Sequence, residues 1–192
     1  MAMRIIAGAA RGVELIAPAG LGVRPTAGRG REALFSMLGS SFAGCRVTDL
    51  FAGSGALGLE AASRGAAAVT LVERDPRHSR AIRSNIEAVR RCGVGAKITV
   101  IDADVLTPAR WIPAAAGSVL IFADPPYDDS AADFAALFPS PEFRGAFPGA
   151  ELIWELPDRP GAAGPFAALV GESGAEWEFR KAGGATFLRV KL

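Results

Sequence analysis

Apolar positions recur along this chain at two spacings, and the alternation between them predicts its architecture. Short apolar runs have the length and β-branched content of strands: Val47 to Phe51, Val69 to Val72 closing at Glu73, Lys97 to Ile101, Val119 to Ala123, and Glu151 to Leu156. Between them come segments patterned as helices. Leu57, Leu59 and Ala61 follow the first run at helix-compatible spacing, and Ile82, Ile86 and Val89 mark the inward face of the charged segment Pro76 to Arg91. Repeated strand and helix units predict a Rossmann-like α/β fold, a mainly parallel twisted sheet with helices on both faces, in which ligands sit beyond the carboxyl ends of the strands. Two flanking pieces read differently. Near the start, Arg4 to Ala7 and Val13 to Ala17 around the turn-like Gly8 to Gly12 predict a small hairpin. At the end, Trp177 to Lys181 and Thr186 to Lys191 around Ala182 to Ala185 predict an antiparallel hairpin at the sheet edge. Before the first run, the stretch VRPTAGRGREALFSMLGS leads Arg24, Arg29 and Arg31 into a helix with Leu34, Met37 and Leu38 on one face.

Composition changes this picture in two ways. With 192 residues, 50% of them apolar, the chain suits one domain with a small appendage, read as a basic hairpin and arm over residues 1–30 before a body over residues 31–192. Charge supports that division. Residues 1–31 carry five arginines against Glu14 alone, a net +4 in a chain whose total is +1, so the remainder is at −3. A basic arm ahead of an acidic body points to a polyanionic partner. Cys45 and Cys92 stand in no C-x-x-C pair and read as reduced core residues, which suggests a cytoplasmic protein. No segment has the uncharged apolar length to span a bilayer, so no membrane partner is expected.

The candidate chemistry lies just after the strand runs. DLFAGSGALGLE, Asp49 to Glu60, places Gly53, Gly55 and Gly58 in the spacing G-x-G-x-x-G between a strand and a helix. Glycines there permit positive φ and close approach of a ligand, and the helix start offers N–H groups. Taken alone this motif is weak, since many tight turns contain glycines. Glu73, twenty residues beyond Gly53, stands where such folds place an acid that accepts from ribose hydroxyls. Asp104, in IDADV, is a candidate acceptor for the amino group of a ligand's base, with Asp102 as its competitor. Asp49 is an acid inside a strand end, which suits a ligand or a turn role. The decisive element is Asp124-Pro125-Pro126-Tyr127 after the fourth run. A double proline removes two N–H donors and fixes φ twice, leaving carbonyls that can accept. Asp124 adds a carboxylate and Tyr127 a stacking face, a combination suited to a planar amino group.

These residues resemble a known family. D/N-P-P-Y/F after the fourth strand with a glycine-rich first turn resembles S-adenosylmethionine-dependent amino methyltransferases. RIIAGAARGVEL, VRPTAGRGREALF, DLFAGSGALGLEAASRGA and FADPPY, in this order, resemble the RsmD family of bacterial 16S ribosomal RNA guanine-N2 methyltransferases. The resemblance runs from Arg4 to about Tyr127 and weakly onward, and departs at Gly28, where the family usually carries an acid. It implies that Gly53, Ser54 and Gly55 carry the methionine part of S-adenosylmethionine, with Asp49 near its amino group. Glu73 would hold the ribose and Asp104 the adenine amino group, with Phe51, Arg74 and Val105 also on the cofactor. Asp124, Pro125, Pro126 and Tyr127 would form the catalytic element around the guanine. Arg24, Thr26, Arg29 and Arg31 would lie beside the RNA, which is 16S ribosomal RNA or a partly assembled small subunit, and the chain would act as a monomer without a metal.

An aspartate at position 124 favours guanine modestly, because guanine offers N1–H and N2–H side by side and a carboxylate accepts both. Competing expectations are an adenine-N6 or protein glutamine-amide methyltransferase, and a dinucleotide-dependent oxidoreductase. The last leaves DPPY without a purpose. His78, the only histidine, reads as solvated on its charged helix.

Overall fold

The computed structural model describes residues 3–18 and 25–192; of residues 25–27 it describes the backbone alone. Its main sheet has seven strands: β3 (Arg46–Leu50), β4 (Ala68–Glu73), β5 (Lys97–Asp102), β6 (Leu120–Ala123), β7 (Glu151–Leu156), β8 (Trp177–Ala182) and β9 (Ala185–Lys191). The order is β5-β4-β3-β6-β7-β9-β8, with the first five strands parallel and β9 antiparallel to both of its neighbours. The chain winds outward from β3 in one direction through β4 and β5, then returns to its other side with β6. The space above β3 and β6 is therefore the switch point where such sheets bind ligands.

Seven α-helices cover the sheet among the described residues: α1 (Pro25–Leu38), α2 (Ala56–Ser63), α3 (Pro76–Arg90), α4 (Ile112–Ala115), α5 (Ser130–Leu137), α6 (Pro141–Ala146) and α7 (Ala163–Glu172). Alternation along each strand sends neighbouring residues to opposite faces. Val47, Val69, Leu71 and Phe122 pack with Leu34, Phe35, Leu59, Ile82 and Val89 from α1, α2 and α3. Leu50, Val72, Ile121 and Trp154 pack on the other face with Phe134, Phe143 and Phe166 from α5, α6 and α7. This is the doubly covered sheet that the strand and helix alternation predicts. The helices after β5, β6 and β7 are alanine-rich and short, and the sequence pattern does not single them out. No helix among the described residues is long and apolar enough to cross a membrane.

The amino-terminal hairpin exists, but its ladder is small. β1 (Met3–Arg4) pairs antiparallel with β2 (Glu14–Leu15), two residues a side. Side chains of the body hold the rest of it. Glu60, buried in α2, accepts from the N–H groups of Ile6 at 2.7 Å and Ala7 at 3.0 Å. It also accepts from Arg64 Nε at 2.8 Å. Ser63 Oγ donates to Ala7 O at 2.6 Å and accepts from Ala10 N at 2.9 Å. With Ile5 and Ala10 in the same core as α1 and α2, the hairpin is fastened to the helix that follows the glycine turn. Helix α1 continues through residue 30, so the arm and the body share a helix. Cys45 is half-buried, whereas Cys92 is exposed on the turn after α3, contrary to the core position expected of it; both are free thiols.

The approach of α2 to the sheet depends on Gly58. A Cβ there would lie 2.9 Å from Val69 Cγ1 and 3.2 Å from Asp49 Cβ, and closer still to Leu71 Cδ2. Gly58→Ala is expected to push α2 off β3 and β4 at a cost of about 1–3 kcal/mol, read as a Tm lowered by several degrees. A melting curve superimposable on that of the parent chain would show that the contact is not tight.

Candidate active site

Four acids stand at or just beyond the carboxyl ends of four adjacent strands: Asp49 on β3, Glu73 on β4, Asp104 after β5 and Asp124 after β6. Asp49 is 2% exposed, and its Oδ2 accepts from Gly58 N at 2.8 Å, inside the first turn of α2. The acid that is out of place for strand packing thus caps the next helix. Between the two, the chain turns tightly. Phe51, with φ 58°, is the only residue other than glycine among those described with positive φ, and Gly53 and Gly55 follow at 57° and 78°. A strained residue of this kind persists where its surroundings over-determine it. The Phe51 ring meets the edge of Trp154, 5.7 Å away between centroids, and Trp154 Nε1 donates to Ser130 Oγ at 3.0 Å.

Glu73 is 7% exposed and braces the turn. Its Oε2 accepts from Gly53 N and its Oε1 from Asp75 N, both at 2.8 Å. His78 Nδ1 stands 3.6 Å from Glu73 Oε1, and the His78 side chain is only 18% exposed. His78 is therefore not solvated as expected but packed behind the acid, because α3 starts directly over the end of β4. That start is set by Asp75 as N-cap, accepting from Arg77 N at 2.8 Å, with Pro76 in the first turn.

The two aspartates after β5 separate. Asp102 is paired with Glu73 in the strand register, and its carboxylate takes Arg83 Nη2 at 2.9 Å. Asp104 Oδ1 accepts from Leu106 N at 2.9 Å, while Arg74 Nη1 lies 3.5 Å from its Oδ2. Val105 is buried in the core, its carbonyl accepting from Trp111 Nε1 at 3.0 Å. Asp133, in the first turn of α5, has its carboxyl pushed up by burial and by the charges of Asp129 and Asp104, against the pull of Arg74. Helix α5, in the segment after Tyr127, is therefore near Asp104.

Asp124 is exposed, Pro125 buried, Pro126 exposed and Tyr127 half-buried. Ala123 is level with Trp154 in the register, so the DPPY segment leaves the sheet beside Glu155, whose Oε1 accepts from the Tyr127 hydroxyl at 3.3 Å. The charge coupling confirms how closely these ends gather. Burial pushes the Asp49 carboxyl well above its ordinary value, the Gly58 N–H pulls it back, and the charges of Asp124 and Glu73 raise it further.

Of the basic stretch, Arg24 lies outside the described residues and the Thr26 side chain outside the description. Arg29 is exposed. Its backbone meets the β8–β9 turn: a Cβ on Gly183 would strike the Arg29 carbonyl and lie 2.8 Å from Gly30 N. Leu156 is level with Thr186, so that turn stands at the carboxyl end of β7, on the same edge of the sheet as Asp124. Arg31 turns inward. Its Nη2 donates to Arg4 O at 2.5 Å, and burial lowers its pKa while the charge of Glu60 raises it. At Gly28 a Cβ would meet nothing within 4 Å, so the absent acid is not excluded by crowding.

The comparisons with known proteins agree with this arrangement. The family model described as Conserved hypothetical protein 95 matches residues 3–140. The chain is 34% identical over 168 residues to the Ribosomal RNA small subunit methyltransferase D of Escherichia coli strain K12, covering 80% of this chain and 82% of that protein. The chain belongs to the RsmD family. A putative ribosomal RNA methyltransferase of Bacillus subtilis, YlbH, is 40% identical over 131 residues, 66% of this chain and 68% of that one. The solved structure of the putative methyltransferase yhhF from Escherichia coli superposes with a TM-score of 0.71 at 26% identity, covering 100% of this chain and 98% of its own.

S-adenosylmethionine is the cofactor of the RsmD family, and the residues present fit it. A carboxyl raised by burial, and further by its acidic neighbours, is a site that a cation relieves, and this ligand carries a sulfonium and an ammonium. Its ribose hydroxyls and adenine amino group are donors, and Glu73 and Asp104 are acceptors that would suit them.

The sign of the Asp49 effect makes it testable. A carboxyl whose pKa is raised on folding stabilises the fold in its protonated form, and that contribution is lost as pH rises through the raised value. Asp49→Asn keeps an acceptor for Gly58 N–H and cannot ionise. At neutral pH the cofactor-free variant is expected to melt about 2–4 °C higher, a gain of about 1 kcal/mol. The advantage should shrink as the solution is acidified through the raised pKa, and the thermal shift on adding S-adenosylmethionine should shrink with the loss of the carboxylate. A variant less stable than the parent at neutral pH would contradict the charge argument.

Proposed function

We propose that this chain transfers a methyl group from S-adenosylmethionine to the exocyclic N2 amine of a guanine in 16S ribosomal RNA. The observation that carries this reading is the DPPY segment at the end of β6, directly across the switch point from the glycine turn of β3. The names of its relatives, ribosomal RNA methyltransferases, support the substrate class.

The chemical difficulty is the acceptor. The N2 lone pair of guanine is delocalised into the ring and is a poor nucleophile. In this reading Asp124 and the Pro125 carbonyl accept hydrogen bonds from the amino group and N1–H, which holds the nitrogen for in-line attack and favours a more tetrahedral geometry. Tyr127, anchored through its hydroxyl on Glu155, supplies a fixed ring against which the base stacks. The cofactor supplies a methyl already activated by its positive sulfur. As the N–C bond forms and the C–S bond breaks, the departing N–H proton passes to Asp124, which is exposed and can release it to water. To reach this pocket the guanine must leave its stack, which suits a loop or exposed nucleotide.

Asp124→Ala is expected to lower the rate of methyl transfer about 10²–10³-fold while cofactor affinity, measured by calorimetry, stays near that of the parent. Near-normal turnover would remove Asp124 from the mechanism. Arg29→Glu should weaken association with the RNA, with little change in cofactor affinity; equal losses in both would make α1 a structural element only. The assignment as a whole is tested by incubating the protein with labelled S-adenosylmethionine and small ribosomal subunits lacking the modification, then mapping the label. A single guanine labelled at N2 is expected. Label on an adenine or on ribosomal protein would replace this reading with another amino methyltransferase activity.

A further inference from the structure

Asn85 lies on the buried face of α3, between Ile82, Ile86 and Val89, and is 1% exposed. Its carboxamide is saturated on the donor side: Nδ2 donates to Ile16 O at 3.0 Å and to Ser54 O at 2.9 Å. Its Oδ1 accepts from Ile16 N at 2.8 Å. Both backbone groups of one arm residue and the carbonyl in the middle of the glycine turn therefore converge on a single side chain. A second contact runs parallel to it, Ser54 Oγ donating to Met3 Sδ at 3.2 Å on the other side of the hairpin.

From this convergence we propose that Asn85 is a positioning residue that couples occupancy of the glycine turn to the placement of the basic arm. The proposal rests on the reading of the turn as the S-adenosylmethionine site. The physical reason is that these bonds meet on one buried carboxamide: the bond to Ser54 O is buried, and the two to Ile16 are partly so. Losing one leaves a desolvated donor or acceptor without a partner, so the turn and Ile16 move together rather than separately. A ligand that holds Ser54 in place therefore also holds Ile16. The same hairpin meets the helix that carries Arg29, because the Arg4 carbonyl accepts from Arg31 Nη2. Cofactor binding thus prepares the arm for RNA, and by linkage RNA bound to the arm tightens the cofactor. Only an amide has the required groups: two N–H donors for two carbonyls and an oxygen for the Ile16 N–H. An aspartate in its place would turn lone pairs toward both carbonyls.

Hydrogen exchange followed by mass spectrometry, without RNA, tests the coupling. In the parent chain, adding S-adenosylmethionine is expected to slow exchange in peptides spanning 49–60, and also in those spanning 3–18, by about fivefold or more. In Asn85→Ala, the slowing over 49–60 should persist while the response over 3–18 disappears. Because that variant leaves buried groups unpaired, Ile16→Pro provides a second cut. It removes the arm's N–H and fixes φ at position 16, leaves Asn85 and Ser54 joined, and should likewise silence the arm while cofactor affinity changes less than about threefold. Protection of 49–60 in the parent with no response in the arm overturns the coupling alone, as does an arm response that survives both substitutions. Absence of protection in both regions would overturn the cofactor reading and the coupling together.

Discussion

The hydrogen bond from Gly58 N to the buried carboxylate of Asp49 is the constraint on which the rest of the site depends. It ties the end of β3 to the start of α2 across a turn that only glycines at 53 and 55 can make, and it requires α2 to lie so close to the sheet that Gly58 can carry no side chain. Once α2 is fixed there, its direction sets two further positions. Its first turn faces the switch point, where a ligand meets the helix start. Its buried Glu60, one turn along, faces the hairpin and accepts from the backbone of Ile6 and Ala7. One helix therefore aligns the cofactor turn and the arm.

That arrangement concentrates negative charge. Burial raises the Asp49 carboxyl most, and the charges of Asp124 and Glu73 raise it further. Such a cluster is unfavourable in the empty protein and favourable around a cation, so part of the fold's stability is exchanged for affinity at this point. Glu73 is the member least free to respond, because Gly53 N and Asp75 N occupy both of its oxygens. It therefore braces the turn in the absence of any ligand.

Much of this was legible in the pattern of residues, and the exceptions have physical causes. The five parallel strands fall within a residue or two of the apolar runs, and Glu151–Leu156 coincides at both ends; the central ones are buried on two faces and have no alternation to obscure them. The strand-end acids were legible for a related reason: a parallel sheet puts its ligand residues at one edge. Glu60 was not, since a charged residue in the helix ALGLEAAS looks like a solvated position until the hairpin covers it. Asn85 did leave a signal, standing at i+3 from Ile82 and one residue before Ile86 in the inward stripe, where a polar residue must find partners. Arg31 shows the limit of reading charge as a surface property. Three arginines in a short stretch look equivalent, yet Arg31 is turned inward to Arg4 O and Glu60 while Arg29 faces out. The helices after β6 and β7 were missed because alanine-rich segments such as SAADFAAL carry little periodic contrast.

The charge division of the chain also explains why catalysis and anchoring occupy separate elements. Beyond residue 31 the chain is at −3, and its acids line the carboxyl edge of the sheet, so a phosphate backbone is repelled from the cofactor site. A neutral base is not. The exposed arginines of the arm, Arg4, Arg11 and Arg29, would attract the backbone instead, and the hairpin and α1 hold them beside α2. In the reading proposed above, the two fields select the same substrate geometry: backbone outside on the arginines, one extruded base inside among the acceptors. A flat or fully stacked strand satisfies only the first condition. In the proposed reading, discrimination between an exposed guanine and the surrounding RNA therefore begins with electrostatics at the rim, before Asp124 reads the base.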